Sequence, residues 1–551
     1  MPIFYYSRKS DGKIESIFAE MPARKSQVDV IPSRAEQDKG ESSSLSASKS
    51  NYEQLPHHLK SCLDYCSIVS KQFSIVSKQS SIEKQKLVRL LLAHGLIPEK
   101  EGQIMEDVAA NIIKELIGLE MLEEDQNFNF KVHVSEFHQE SCLVEVDEQD
   151  FVANAANLPI HAVIEDDGKI LPLDFKNFRI RSLFATAIEG ALDEIQYIGA
   201  FSEAYLQTVC GLQFLLILEL HGTVEYLPDE VGDLVHLRYL GLCSKIKKIP
   251  CTIGNLQKLQ TLDISCGENL CKLPVEILNI RQLRHLLLKD YLESDGGIRV
   301  PRGIGTLIHL QSFTAIFSGA SFASELSLLT KLRSLDIRNV SEDHADELFA
   351  VITNLENLVS LSISAEQASR GSFLPEMEQF SPPPHLKELR LRGGLFELPN
   401  WLASIENLTN LGLYHSNLLE NPSSVLQFLS KLKHLTLWNA YKTKLIGKEF
   451  CKNGGFQELE TLTICSEYLV EWTEIVNGAF PSLRTLQFYN CLNLRFLPEG
   501  LENISSIREL RLWPSHGDLA RRLGGEENYK IKHIPNFQTR CPVPMVAYSP
   551  F

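Results

Sequence analysis

The sequence predicts an α/β fold: a horseshoe-like solenoid of stacked strand-and-return repeats behind a small helical domain, with a disordered segment ahead of both. Three observations carry that prediction. A leucine pattern recurs through residues 215–512, amphipathic helical spacing is concentrated in residues 55–117, and the first fifty residues show no sustained hydrophobic period. A chain of 551 residues is long enough for several domains or one long array with a large core.

Residues 1–51 close on the serine-rich run Glu41–Ser50. Such a composition buries too little apolar surface to offset the entropy of ordering, so disorder is expected there. Residues 52–140 read as one small domain. Leu55 to Cys66 is an apolar stretch with Pro56 placed for a first helical turn. Leu87, Leu90 and Leu91 give residues 83–94 a helical face, and Met105, Val108, Ile112 and Leu116 do the same for 105–117. Ser80-Ser81-Ile82-Glu83 has the spacing of a capping box for the first of these two helices. The runs Leu119–Leu122 and Phe128–Val134, separated by Glu123–Asn127, predict a β-hairpin. Three helices followed by a two-stranded wing is the layout of a winged-helix domain. Residues 141–179 are expected as a linker leading into the repeats.

From 180 to 535 the chain is repetitive. The pattern L-x-x-L-x-L, with Ile or Phe allowed, starts at Leu215, Leu237, Leu259, Leu283, Leu310, Leu332, Leu358, Leu386, Leu408, Leu432, Leu459, Leu483 and Ile507. The steps run from 22 to 28 residues, the period of leucine-rich repeats. Each unit offers one short strand and a return segment, and it buries its apolar edge only by stacking on its neighbours. The Leu310 unit is the weakest, because Ala315 falls at its third apolar position, and an irregular first unit is expected near Ile180–Leu183. Residues 536–551 are expected as a tail.

Composition narrows the function. Lys and Arg number 54 against 70 Asp and Glu, a net charge of −16, which disfavours nucleic acid and anionic lipid as partners. The densest apolar run, Phe214 to Leu218, is far short of the roughly 20 residues a membrane span needs. Twelve cysteines at irregular spacing, with no Cys-x-x-Cys and no secretory signal at Met1–Lys9, predict a reduced, cytoplasmic chain.

Several segments resemble the plant NB-LRR (NLR) disease-resistance proteins that carry an N-terminal coiled coil. They are Leu55-Pro-His-His-Leu-Lys-Ser-Cys62-Leu-Asp-Tyr65-Cys66-Ser67, then Lys86-Leu-Val-Arg89 through Gly95-Leu-Ile97, then Glu101-Gly102 through Glu106-Asp107-Val-Ala109 to Leu116-Ile117. Leu227-Pro-Asp-Glu-Val-Gly through Leu240 and Gly525-Glu-Glu-Asn-Tyr529-Lys-Ile-Lys-His533-Ile-Pro535 extend the resemblance to the repeats and the C-terminal end. The resemblance implies a role in plant defence through a protein partner: a pathogen effector, a guarded host protein or a related NLR. It covers about residues 52–540.

The departures bear on mechanism. A phosphate-binding P-loop needs Gly-Lys followed by Ser or Thr, yet Gly12-Lys13, Gly168-Lys169 and Gly447-Lys448 are followed by Ile14, Ile170 and Glu449. The sequence therefore reads as a truncated form lacking the family's nucleotide-binding core, without nucleotide switch, cofactor or enzymatic activity. Two alternatives are an ADP/ATP-dependent receptor whose nucleotide-binding domain is missing from this gene model, and an F-box-like LRR substrate adaptor whose first helix begins at Leu55-Pro56. Where the family carries a His-Asp nucleotide sensor, His133 is followed by Val134. His133, Glu136 and His138 lack the spacing of a common zinc site, Asp166-Asp167 suits an acidic turn, and Cys62 with Cys66 suits packing on one helix face. Lys84, Lys86 and Arg89 offer three cations for DNA, but Glu99, Glu101, Glu106 and Asp107 follow closely.

The repeat register yields the candidate site. Strand side chains alternate, so the positions around the last two apolar residues of each unit form surface columns on the concave face. The last column includes His221, Ile316, Arg338 and Arg392, then Tyr414, Trp438, Cys465, Tyr489 and Trp513. Aligned aromatics are either binding hot spots or rings that stack along the ladder. Tyr414, Trp438, Tyr489 and Trp513, with Arg390, Arg392 and Arg511 as donors to a carboxylate, are the candidate protein-binding residues.

Overall fold

The computed structural model describes residues 2–8, 14–20, 52, 54–77, 82–124, 131–134, 160–171, 175–192, 195–244, 246–266, 270–290, 297–319, 321–368, 371–378, 380–514 and 516–539. They fall into two compact units, Met1–Tyr291 and Leu292–Phe551.

In the first unit, strands β1 (Pro2–Arg8) and β2 (Ile14–Glu20) pair antiparallel, and β1 also pairs with the later strand β6 (Ile160–Asp166). These are the only parts of residues 1–51 described; the serine-rich run lies outside the described residues. Helices α1 (His57–Ser77), α2 (Lys84–His94) and α3 (Met105–Gly118) follow, with β3 (Ile82–Glu83), β4 (Leu122–Glu124) and β5 (Lys131–Val134). Pro56 sits immediately before α1, where a missing N–H costs nothing. The apolar stripes Leu87, Leu90, Leu91 and Val108, Ile112, Leu116 pack with Leu59, Leu63 and Tyr65 into one core. The wing has three strands, not two, in the order β3-β5-β4. The expected capping box does not form. Ile82–Glu83 pairs with β5, and the α2 N-cap Glu83 makes no side-chain capping bond.

The repeat sheet of this unit comprises β6, β7 (Ile180–Leu192), β8 (Ile195–Ile198), β9 (Ile217–His221), β10 (Tyr239–Ser244), β11 (Thr261–Cys266) and β12 (His285–Asp290). It begins at Ile160, inside the stretch expected to be linker. Leu237, Leu240 and Leu242 of one unit and Leu259, Leu262 and Ile264 of the next are buried, as the pattern requires. A Leu-Pro or Ile-Pro step, at Leu227-Pro228, Ile249-Pro250 and Leu273-Pro274, follows three of these strands and has a local cause. Pro228, Pro250 and Pro274, held near φ −68°, each precede a short 3-10 turn that brings the chain back across the stack.

The second unit is a parallel ladder: β13 (Ser312–Phe317), β14 (Ser334–Val340), β15 (Ser360–Ala365), β16 (Glu388–Arg392), β17 (Asn410–Tyr414) and β18 (His434–Trp438). β20 (Thr461–Cys465), β22 (Thr485–Tyr489), β23 (Glu509–Trp513) and β24 (Asn536–Thr539) continue it, while β19 (Leu445–Ile446) and β21 (Glu471–Trp472) pair aside. Asn536–Thr539, expected in the tail, is thus the last strand; residues 540–551 lie outside the described residues.

The weak Leu310 unit is resolved by a bulge. Ala315 takes φ 56°, so Ile316 turns inward opposite Ile337 and Phe317 takes the surface position opposite Arg338. Ile316 is fully buried, which corrects its placement in the surface column. The late Gly525–Pro535 motif closes the stack. Buried Lys530 donates to the Leu497 carbonyl at 2.9 Å and pairs with Glu499 at 2.8 Å and Glu527 at 3.3 Å.

Candidate protein-recognition surface

Inside the second unit, Leu389, Leu391, Leu411, Leu413, Leu435 and Leu437 face the core, so alternation turns the residues between them to the open face. The ladder is in strict register from β16 to β23. Arg392, Tyr414, Trp438, Cys465, Tyr489 and Trp513 form one row. Arg390, Gly412, Thr436, Thr463, Gln487 and Arg511 form the row beside it. All seven candidate residues therefore lie in two adjacent rows of one sheet face.

The register is reinforced just past the strands. His415, Asn439 and Asn490 adopt φ 54°, 47° and 49°, turning the chain out of the ladder. Their N–H groups donate to the carbonyls of Trp438, Cys465 and Trp513, one strand on. Asn tolerates this left-handed conformation better than most residues, which explains two of the three identities.

The side chains do not all play the same part. Trp438 and Tyr489 stack at 6.3 Å and 24° over the buried Cys465, and Tyr489 meets Trp513 edge-on at 5.8 Å. Tyr414 lies over Gly412, where a Cβ would come within 2.6 Å of its ring, and the Arg392 guanidinium sits 5.4 Å from the Tyr414 centroid. The rings therefore stack along the ladder, yet all four aromatic residues stay partly exposed. Arg511 is buried, 4% exposed, and forked onto Glu509 at 2.8 and 2.9 Å beneath Trp513. It holds Trp513 in place instead of offering donors outward. Arg390 is the reverse case: its side chain is 56% exposed and reaches Glu388 only at 4.0 Å.

Sequence reasoning missed a second use of the sheet face. In the first unit the same face is covered by the winged helix. Lys86 of α2 pairs with Glu219 at 2.6 Å, and Arg89 approaches Asp263 at 3.9 Å. Glu106 of α3 takes Arg284 through two bonds of 2.6 and 2.5 Å, with His285 at 3.3 Å. Gly241 makes the space: a Cβ there would lie 2.5 Å from a Glu219 oxygen. Burial alone would raise the Glu219 and Glu106 carboxyl pKa values, but Lys86 and His221 in one case, and His285 and Arg284 in the other, hold both well below the ordinary range. The signal was present as acidic residues, Glu219 and Asp263, in the middle column of the first repeats. Lys84 pairs with Glu124, so all three cations weighed for DNA binding have carboxylate partners.

The remaining candidates resolve into packing. Burial pushes the Cys62 thiol up to about 12 and the Cys66 thiol well above its usual value, as expected of inert core cysteines. Asp166 and Asp167 accept backbone N–H groups of Gly168 and Lys169 at 2.9 and 3.1 Å, which accounts for the acidic turn. His133 lies on β5 opposite Glu123, while Glu136 and His138 lie outside the described residues. Among the described residues no group of three or more His, Cys, Asp or Glu is placed to hold a metal ion, and no helix is long and apolar enough to cross a membrane.

Residues 200–535 match the family model for a leucine-rich repeat region, and residues 75–138 match that of the disease resistance protein winged helix domain. The chain belongs to the plant NLR disease-resistance family. It is 27% identical over 520 residues to Disease resistance protein RPP8 and 26% identical over 522 residues to Disease resistance protein RPH8A, both of Arabidopsis thaliana. Each alignment covers 89% of this chain and 54% of the relative, so the chain spans about half the length of the curated relatives it matches. Among solved structures it is similar to the LRR protein LIC12759 of Leptospira interrogans, with 20% identity, a TM-score of 0.41, and coverage of 72% of this chain and 98% of that one.

Proposed function

We propose that the chain works in plant defence as a cytoplasmic, nonenzymatic recognition protein whose sheet face from β16 to β23 binds a protein partner. The observation that carries this reading is the row Tyr414, Trp438, Tyr489 and Trp513, four rings left half-covered beside an exposed arginine. Rings held in place by their neighbours offer large contact area at low entropic cost, the usual make-up of a hot spot. The covered face of the first repeats serves a different end, seating the winged helix. The family makes a pathogen effector, a guarded host protein or a related NLR the partner to seek.

The test compares wild type with Trp438→Ala/Trp513→Ala as bait in pathogen-challenged tissue. Loss of a specific captured protein, with a melting temperature within a few degrees of wild type, is the expected outcome. Unchanged capture, or a collapsed fold, contradicts the reading.

A further inference from the structure

The recognition reading leaves open what kind of protein surface fits, and the two rows constrain it. Between the aromatic row and the row Glu388, Asn410, His434, Thr461, Thr485 and Glu509 runs a lane floored by Thr436 and Thr463. At one end the lane is closed by the Tyr414 ring and Arg390, and at the other by the Arg511–Trp513 pair. From β16 to β23 there are five strand steps of about 4.8 Å, roughly 24 Å, the length of about seven extended residues.

The lane's chemistry is uneven. One side is aromatic. The floor and far side carry the part-exposed hydroxyls of Thr436, Thr461 and Thr463, the Asn410 amide and the His434 imidazole, which can meet N–H and C=O groups that a partner leaves unpaired, while the Glu388 carboxylate lies next to Arg390 and Thr485 and Glu509 are buried. A helix arrives with its backbone already bonded to itself, whereas an extended strand brings unmet groups along its whole length. Charge marks the polarity. On a chain of net charge −16, Arg390 is exposed and paired only at 4.0 Å, and Arg392 lies beside it on the Tyr414 ring.

We propose that this lane takes an extended peptide segment of about seven residues, with a carboxylate at the Arg390 and Arg392 end and apolar side chains against Trp438 and Tyr489. The inference rests on the recognition reading above and narrows its partner to a protein with an exposed, acidic-ended, unfolded or loop segment.

The probe is a displayed library of random heptapeptides selected on the full chain, with the enriched consensus resynthesised and its affinity followed by fluorescence anisotropy. Enrichment of Asp or Glu at one end and aromatic or aliphatic residues at alternating positions is expected. Thr436→Trp, which fills the floor at a half-exposed position, should weaken the peptide at least tenfold with an unchanged melting temperature. Arg390→Glu should do the same for the acidic peptide but not for its amide counterpart. Should Thr436→Trp fail to fold, Thr463→Tyr fills the lane one strand on and is read the same way. The proposal is overturned if no peptide is enriched, if lane-filling leaves binding intact, or if a helix-constrained version of the consensus binds as tightly. If peptides fail while Trp438→Ala/Trp513→Ala still abolishes capture of a folded partner, the recognition reading stands and the extended-segment inference falls.

Discussion

Replacing Glu106 with Gln removes one negative charge from the seat of the winged helix while keeping its shape. In the intact protein the Glu106 carboxylate accepts two short bonds from Arg284 and lies 3.3 Å from His285, with only 9% of its side chain exposed. A hydrogen bond to a charged group contributes about 1.5–3 kcal/mol, and breaking a fully buried pair costs about 3–5. The Arg284 side chain is 27% exposed and can recover some water. A double-mutant cycle with Arg284→Met should therefore give a coupling of about 2 kcal/mol. For a unit spanning Met1–Tyr291 that corresponds to roughly 3 °C in melting temperature at neutral pH. The acid limb supplies a second readout. Because Arg284 and His285 hold the Glu106 carboxyl below its usual 4.5 against the opposing effect of burial, its stabilisation is fully present above that value. It is lost as pH falls below 4.5, at up to about 1.4 kcal/mol per pH unit, and Glu106→Gln should flatten that decline. A coupling under about 0.5 kcal/mol, or an unchanged acid limb, would refute the view that the winged helix is locked onto the first repeats by buried charge.

Four further outcomes follow from the same structure. His94 is buried between Tyr65 and His161 and lowered to about 4 by burial and by Arg181 and Arg238, so the folded state resists a proton that the unfolded chain takes up near 6.5. Wild type should lose stability between pH 6.5 and about 4, and His94→Leu should lose less over that interval in denaturant titrations. Lys530→Ala leaves the Leu497 carbonyl without its buried donor and Glu527 with Arg522 alone, and it should cost about 1–3 kcal/mol, seen as faster proteolysis of the last repeats. With Lys86 and Arg89 paired, no salt-dependent retardation of duplex DNA is expected from the chain in an electrophoretic assay at low salt. With no Gly-Lys-Ser/Thr among these 551 residues, calorimetric titration with ADP or Mg-ATP should give no stoichiometric binding.

Much of the architecture was legible because it depends on local periodicity. Each leucine unit that starts between Leu215 and Ile507 has a strand where its pattern predicts one, and the stripes of α2 and α3 bury the apolar residues that defined them, with Met105 only partly covered. The two rows of the candidate surface followed for the same reason, since alternation is a property of any strand. What the sequence concealed depends on backbone detail or on distant residues. Nothing in Ala315 announces φ 56°, yet that one torsion exchanges the faces of Ile316 and Phe317. Spacing does not reveal that Glu509 withdraws Arg511 from the surface, since the same two-residue relation leaves Arg390 exposed and 4.0 Å from Glu388. The seat of the winged helix joins Lys86 to Glu219 and Glu106 to Arg284, separations of 133 and 178 residues that no local pattern encodes.

The central claim is that the face from β16 to β23 stays open and grips another protein, and a photo-crosslinking residue in place of Thr436 tests it most directly. Irradiated in pathogen-challenged tissue, that variant should give one discrete, heavier protein adduct. The same probe at Glu458, off the row, should give none, and Arg390→Glu should abolish the band. No adduct at 436, or an identical band from 458, would contradict the account.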